Sequence, residues 1–190
     1  MLITGVPGTG KTTLASSLSK KMDTALLDIN KLVNVLGLHT HTDETDGAKV
    51  VRMGQLQDEL CAAIKAEKRS IVLDGHLGCE MKLPVQKVIV LRCDPKELRL
   101  RLSTRNYSPE KTASNALSEA LDYCVALSEK NFGACKVWEI NTTGKTPAQV
   151  LEEAEKIISG RKRKKEHYSF PDALLREAIT GEKIRKVLGG

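Results

Sequence analysis

The chain has 190 residues, 41% of them hydrophobic and 28% charged, a length and balance that predict one soluble domain with a short appendage and exclude a large multidomain protein. Aromatic residues make up only 3%, which leaves few rings for base stacking and argues against a pure RNA-binding module. The formal charge of +6 is unevenly placed, because residues 160–190 hold nine Lys/Arg against four Asp/Glu and the remainder is nearly neutral.

Short apolar runs alternate with longer stretches of helical periodicity, the pattern of a parallel sheet wrapped by helices. The first run, Leu2–Thr4, is followed at once by Gly5-Val6-Pro7-Gly8-Thr9-Gly10-Lys11-Thr12, a full match to GxxxxGK[ST], and then by a predicted helix over Lys11–Lys21. This strand–loop–helix context is what a phosphate-binding loop requires. Its glycines let backbone N–H groups converge on phosphates, and the helix start adds its positive dipole end. Lys11 supplies a point charge to the β- and γ-phosphates, and Thr12 offers a hydroxyl to Mg2+.

A second strand is predicted over Ala25–Leu27. Residues Gly37–Gly47 break periodicity and read as a mobile loop. Its cluster His39, His41, Asp43 and Glu44 has no matching ligand spacing elsewhere, so a polar loop is favoured over a metal site. After a helix over Met53–Lys68, the run Ile71–Leu73 ends in Asp74, placed where an acid at a strand's carboxyl end holds Mg2+ beside a triphosphate. His76 follows two residues later and, if the backbone stays extended, leaves on the same side as Asp74. Its imidazole could position an attacking water or take its proton; on the residue alone, a structural histidine is the commoner reading.

The strand Val88–Leu91 feeds a helix over Pro95–Thr104, with Asp94 as N-cap and Pro95 at the first helical position. Arg101 and Arg105 are four apart and share a face if the helix persists. Arg105 is the candidate for stabilising charge on a transferring phosphoryl group, with the loop from Asn106 to Lys111 able to close over it. A long helix over Thr112–Asn131, a strand Val137–Ile140 and a helix Pro147–Ser159, opened by Thr146-Pro147, complete the pattern.

The run Arg161-Lys162-Arg163-Lys164-Lys165 has no apolar stripe and is expected to stay in solvent, which sets a boundary at Ser159-Gly160. Beyond it, Tyr168–Leu188 has weak amphipathic spacing; a docked helix, an RNA-contacting arm and a disordered extension are all open, with a flexible basic arm favoured. Cys61, Cys79, Cys93, Cys124 and Cys135 form no CxxC pair and read as reduced, packed thiols. No apolar run approaches the roughly 18 residues that span a bilayer, and the start MLITG lacks secretory-signal features. No membrane partner is expected, and the expected compartment is the cytoplasm, or the nucleus in a eukaryote.

Four blocks in this order, GVPGTGKTTLA at Gly5–Ala15, LDGH at Leu73–His76, VIVLRCDPKELRLRLSTRNY at Val88–Tyr107 and TTGKTP at Thr142–Pro147, resemble small nucleoside-monophosphate kinases. More narrowly, Asp74-x-His76 and Thr104-Arg105-Asn106-Tyr107 on so short a chain resemble the adenylate-kinase-like family of small-subunit ribosome maturation, which includes the coilin-interacting nuclear ATPase and its yeast and archaeal relatives. The resemblance implies a three-layer α/β P-loop NTPase of nucleoside-monophosphate-kinase type over residues 1–159, with a parallel five-stranded sheet and helices on both faces. A monophosphate-binding region would lie at about 28–53 and a lid at about 104–114, leaving 160–190 as a basic extension.

It further implies that Gly8, Gly10, Lys11, Thr12, Thr13 and Arg105 bind ATP and that Lys145 and Thr146 lie against the adenine. Lys11, Asp74, His76 and Arg105 would carry the chemistry, with Mg2+ held by Thr12 and Asp74. The chain departs from the family at Asn34, where an arginine that grips the monophosphate is usual; Asn cannot supply a cationic fork, and Lys31 or Arg52 could substitute. Two compatible functions follow. One is phosphoryl transfer from ATP to a nucleoside monophosphate, AMP above all, and more slowly to water. The other is an ATP-switched assembly factor in small-subunit maturation and rRNA processing, which binds the eleventh small-subunit ribosomal protein and contacts rRNA through the basic tail.

Overall fold

The structure is a computed structural model and describes residues 1–42, 49–105 and 107–170. Five parallel strands, β1 (Leu2–Thr4), β2 (Ala25–Asp28), β5 (Ile71–Asp74), β6 (Val88–Arg92) and β7 (Val137–Asn141), form one sheet in the order β2-β5-β1-β6-β7. A separate antiparallel pair joins β3 (His39–Thr42) to β4 (Lys49–Val51). The helices are α1 (Lys11–Met22), α2 (Ile29–Val35), α3 (Met53–Ala66), α4 (Pro95–Ser103), α5 (Pro109–Ala120), α6 (Tyr123–Phe132) and α7 (Pro147–Ile158).

The central strands are apolar throughout because both sheet faces are covered. Successive side chains point to opposite faces, so Leu2, Leu73, Val88 and Val90 meet Ile29, Leu56, Leu60, Leu98 and Leu102 on one side. Ile3, Val72, Ile89 and Leu91 meet Leu14, Leu18, Val150, Ala154 and Ile157 on the other. The result is the expected three-layer P-loop fold. Its central strand β1 lies between β5 and β6, so the phosphate loop opens at the carboxyl edge beside Asp74, where open α/β sheets bind ligands.

Several local expectations are corrected. The predicted helix over Thr112–Asn131 is two helices, broken where Asp122 takes a left-handed φ of 55°, a conformation that Asp tolerates better than most residues. Part of the expected mobile loop is strand: His39 pairs with Val51 and Thr42 with Lys49. The chain is not extended at His76, which begins a 3-10 turn over His76–Glu80.

The basic run is not wholly in solvent either. The Lys162 side chain is only 15% exposed and holds Glu153 at 2.5 Å, and the Lys165 ammonium lies 5.1 Å from the Trp138 ring centroid. Residues 160–170 therefore run back against β7 and α7, and the rest of the tail lies outside the described residues. No helix among the described residues is long and apolar enough to cross a membrane.

Candidate active site

The loop between β1 and α1 turns sharply at Gly8 and Gly10, with φ of 93° and 94°. A Cβ on Gly8 would come within 2.8 Å of the Leu98 side chain, so glycine there serves both the left-handed turn and the close packing of α4. The Thr9 hydroxyl donates to the Val6 carbonyl at 3.0 Å, and the Lys11 ammonium donates to the same carbonyl at 2.9 Å. Lys11 is thus held across its own loop. Burial pushes its pKa below the usual lysine value, with the nearby Asp74 charge acting in the opposite direction.

Asp74 closes β5 in register with Asp28 on β2. Burial raises its pKa, while the nearby Thr12 hydroxyl and the Lys11 charge oppose the shift. Its Oδ1 is buried with no hydrogen-bond partner. A buried carboxylate oxygen left unpaired beside a threonine hydroxyl is the donor chemistry that a Mg2+ ion uses when phosphate and water complete its shell. Thr12 and Asp74 therefore fit the ion.

Gly75 brings the next residue into the cleft, and a Cβ on it would meet the Ile29 Cβ at 2.8 Å. The His76 carbonyl accepts from the Thr4 hydroxyl at 3.2 Å and from the Cys79 thiol at 3.0 Å, which fixes the turn. Burial, then the charges of Lys11 and Lys111, lower the His76 pKa to about 4. The imidazole is neutral at physiological pH and can accept a hydrogen bond.

These side chains line one cleft of about 510 Å³. Its walls bring together Gly8, Gly10, Lys11, Thr12, Thr13, Asp74, His76 and Arg105. Arg101 is elsewhere: α4 ends at Ser103, and the Arg101 guanidinium donates to Glu97 at 2.5 Å and to the Thr142 hydroxyl and carbonyl at 3.0 and 2.8 Å. It lines a second, smaller hollow of about 260 Å³ with Gly10, Thr13, Lys145 and Pro147. The Lys145 ammonium also holds Glu153 at 2.7 Å. Thr146 is not among the residues lining this hollow; its side chain caps α7 in a capping box with Gln149.

At the other end of the main cleft stand Asn30, Asn34, His39 and Val51, and the side near Arg105 adds Tyr107, Lys111, Ser114 and Asn115. Asn34 Oδ1 lies 2.9 Å from His39 Nε2. His39 is therefore turned to Asn34, while Asp43 and Glu44 of the cluster lie outside the described residues. Lys31 and Arg52 are exposed and are not among the cleft-lining residues. Sequence reading did not single out Asn30, Lys111, Ser114 or Asn115, which reach the cleft only through tertiary folding.

Residues 1–122 match a family model described as an AAA domain. The chain is 36% identical over 158 residues to a Halobacterium salinarum protein named "Putative adenylate kinase", covering 83% of this chain and 89% of that one. Proteins of the same name from Methanocaldococcus jannaschii, 34% identical over 170 residues and 90% of each chain, and from Pyrococcus abyssi, 37% identical over 167 residues, 85% of this chain and 86% of that one, are similar to it as well.

Proposed function

The chain belongs to the AAA-domain family of P-loop proteins, in its adenylate-kinase-like group, and we propose that it transfers the γ-phosphoryl of ATP to a nucleoside monophosphate, AMP above all, and more slowly to water. The observation that carries this reading is the convergence of Lys11, Thr12, Asp74, His76 and Arg105 on one cleft. In transfer, an acceptor phosphate oxygen bonds to Pγ as the Pγ–O bond to ADP breaks, giving ADP and a nucleoside diphosphate. In hydrolysis, water is the acceptor and inorganic phosphate the product.

Such reactions need positioning and charge neutralisation more than covalent help from the protein. Lys11 and Arg105 would meet the charge on the transferring oxygens. Thr12 and Asp74 would hold Mg2+, which when bound neutralises β- and γ-phosphate charge. The neutral His76 would orient the attacking water. The smaller hollow adjoins the loop at Gly10 and Thr13 and carries Lys145, which supports its use by the adenine end of ATP.

Product analysis tests the reading: ATP alone should give ADP and phosphate slowly, whereas ATP with AMP should give two ADP per ATP consumed, faster and without matching phosphate release, and ATP with GMP, CMP or UMP should give the corresponding new diphosphate. If no monophosphate is phosphorylated while ATP is still hydrolysed, the transfer reading fails.

A second reading is supported by two observations: the cleft wall carries Asn34 where the family's cation is usual, and Arg161, Arg163 and Lys164 are exposed. On it, the nucleotide cycle would govern attachment to a small-subunit ribosomal protein, the eleventh by resemblance, and to rRNA through phosphate contacts. Salt-dependent cosedimentation with small ribosomal subunits, compared with and without ATP, tests it.

A further inference from the structure

The acceptor end of the main cleft poses a charge problem. A nucleoside monophosphate carries about two negative charges near neutral pH, yet the residues lining the 28–53 side, namely Asn30, Val33, Asn34, His39 and Val51, include no lysine or arginine. The cleft's cations are Lys11, Arg105 and Lys111. The proposed function commits the first two to ATP, which leaves Lys111.

Its placement has a cost that packing does not explain. Lys111 is in the first turn of α5, where its backbone N–H is taken by the Ser108 hydroxyl cap at 3.2 Å, and a cation there opposes the helix dipole. Among the described residues no carboxylate forms an ion pair with it. The ammonium lies 5.2 Å from the Tyr107 ring centroid, which steadies it on an apolar face without neutralising it. Lys111 lines the same cleft as Lys11, His76 and Arg105.

We propose that Lys111 binds the phosphate of the acceptor monophosphate in place of the cation missing at Asn34, while Asn30, Asn34 and His39 hydrogen-bond the acceptor's uncharged groups. This rests on the phosphoryl-transfer reading. It assigns the acceptor's grip to the lid side, so that lid closure brings the acceptor phosphate toward Pγ. The wall opposite already holds His39 Nε2 against Asn34 Oδ1 at 2.9 Å, and His39 Nδ1 is buried without a partner, as suits a surface that reads a base or ribose.

The test is steady-state kinetics with ATP and AMP, GMP, CMP or UMP on the full chain, with monophosphate binding measured by calorimetry. Lys111→Ala should raise the acceptor KM about tenfold or more while the ATP KM moves far less. Lys111→Arg should restore most of the loss. Adding Asn34→Lys to Lys111→Ala should also recover acceptor binding, because it returns the cation to the opposite wall. Since Lys111→Ala removes a cation from a helix's first turn, its thermal unfolding should be unchanged or raised. An unchanged acceptor KM, or equal rises for ATP and acceptor, overturns the assignment. A wild-type chain that neither binds nor phosphorylates any monophosphate overturns the transfer reading itself, and this assignment with it.

Discussion

The Arg92 guanidinium donates to the Tyr168 carbonyl at 3.0 Å, so a buried side chain at the end of β6 fastens the last described stretch of the chain to the core. The same guanidinium holds Glu119 at 2.7 Å and Glu139 at 2.6 Å, bonds Asp122 at the break between α5 and α6, and lies 5.4 Å from the Phe170 ring centroid. One cation thus joins β6, β7, α5 and the stretch of chain that follows α7. Burial raises the Glu119 pKa against the pull of Arg92, so the cluster depends on keeping every partner.

Truncation after Ser159 should therefore lower stability relative to truncation after Phe170, by about 1–3 kcal/mol for a buried donor left unpaired. The longer fragment keeps Arg161–Lys165, so it should also retain any salt-dependent affinity for RNA that the shorter one loses. Thermal melts of the two fragments decide the matter. Equal midpoints would show that the Tyr168 contact adds nothing to the fold.

Lys11→Ala should reduce both transfer and hydrolysis by at least about 10²-fold, since the developing phosphoryl charge loses its nearest cation. The folded chain already disfavours the charged lysine by burial, so the variant should fold with an undiminished midpoint. Retained turnover in both assays would refute the role assigned to the loop.

What was legible in the sequence follows from how each element is stabilised. Val88–Leu91 reads as a strand because both faces are buried and every position is apolar. The phosphate loop reads clearly because its residues are contiguous. Helix α2 gives little periodic signal because it has only seven residues, two of them buried. The hairpin strand His39–Thr42 reads as loop because its residues are His and Thr rather than an apolar alternation. No Gly or Pro marks the break at Asp122, so Thr112–Asn131 reads as one helix, whereas α4 ends at Ser103, one residue short of its predicted end at Thr104, and does not persist as far as Arg105. The site's far walls, Asn30, Lys111 and Asn115, are joined only by long-range packing.

Asp74→Asn separates stability from function. Burial raises the Asp74 pKa, which means that the ionised carboxylate is disfavoured by the fold and retained against that cost. The neutral amide should keep or raise the thermal midpoint while Mg2+-dependent turnover falls by about 10²-fold. A variant that loses stability but keeps its Mg2+ dependence would place Asp74 among structural residues.

His76 yields a prediction in pH as well as in rate. Its pKa falls from 6.5 to about 4 on folding, chiefly by burial and then by the charges of Lys11 and Lys111. Between these values the unfolded chain binds the proton and the folded chain does not, so this residue makes stability fall as pH drops from 6.5 toward 4. His76→Gln should lose less stability over that interval, as chemical denaturation at each pH will show. In the rate, His76→Ala should depress ATP hydrolysis more than transfer to a monophosphate, because a bound acceptor is itself an oriented nucleophile whereas water needs a partner to place it. Equal losses in the two reactions, together with an unaltered pH dependence of stability, would make His76 a wall of the cleft and remove it from the chemistry.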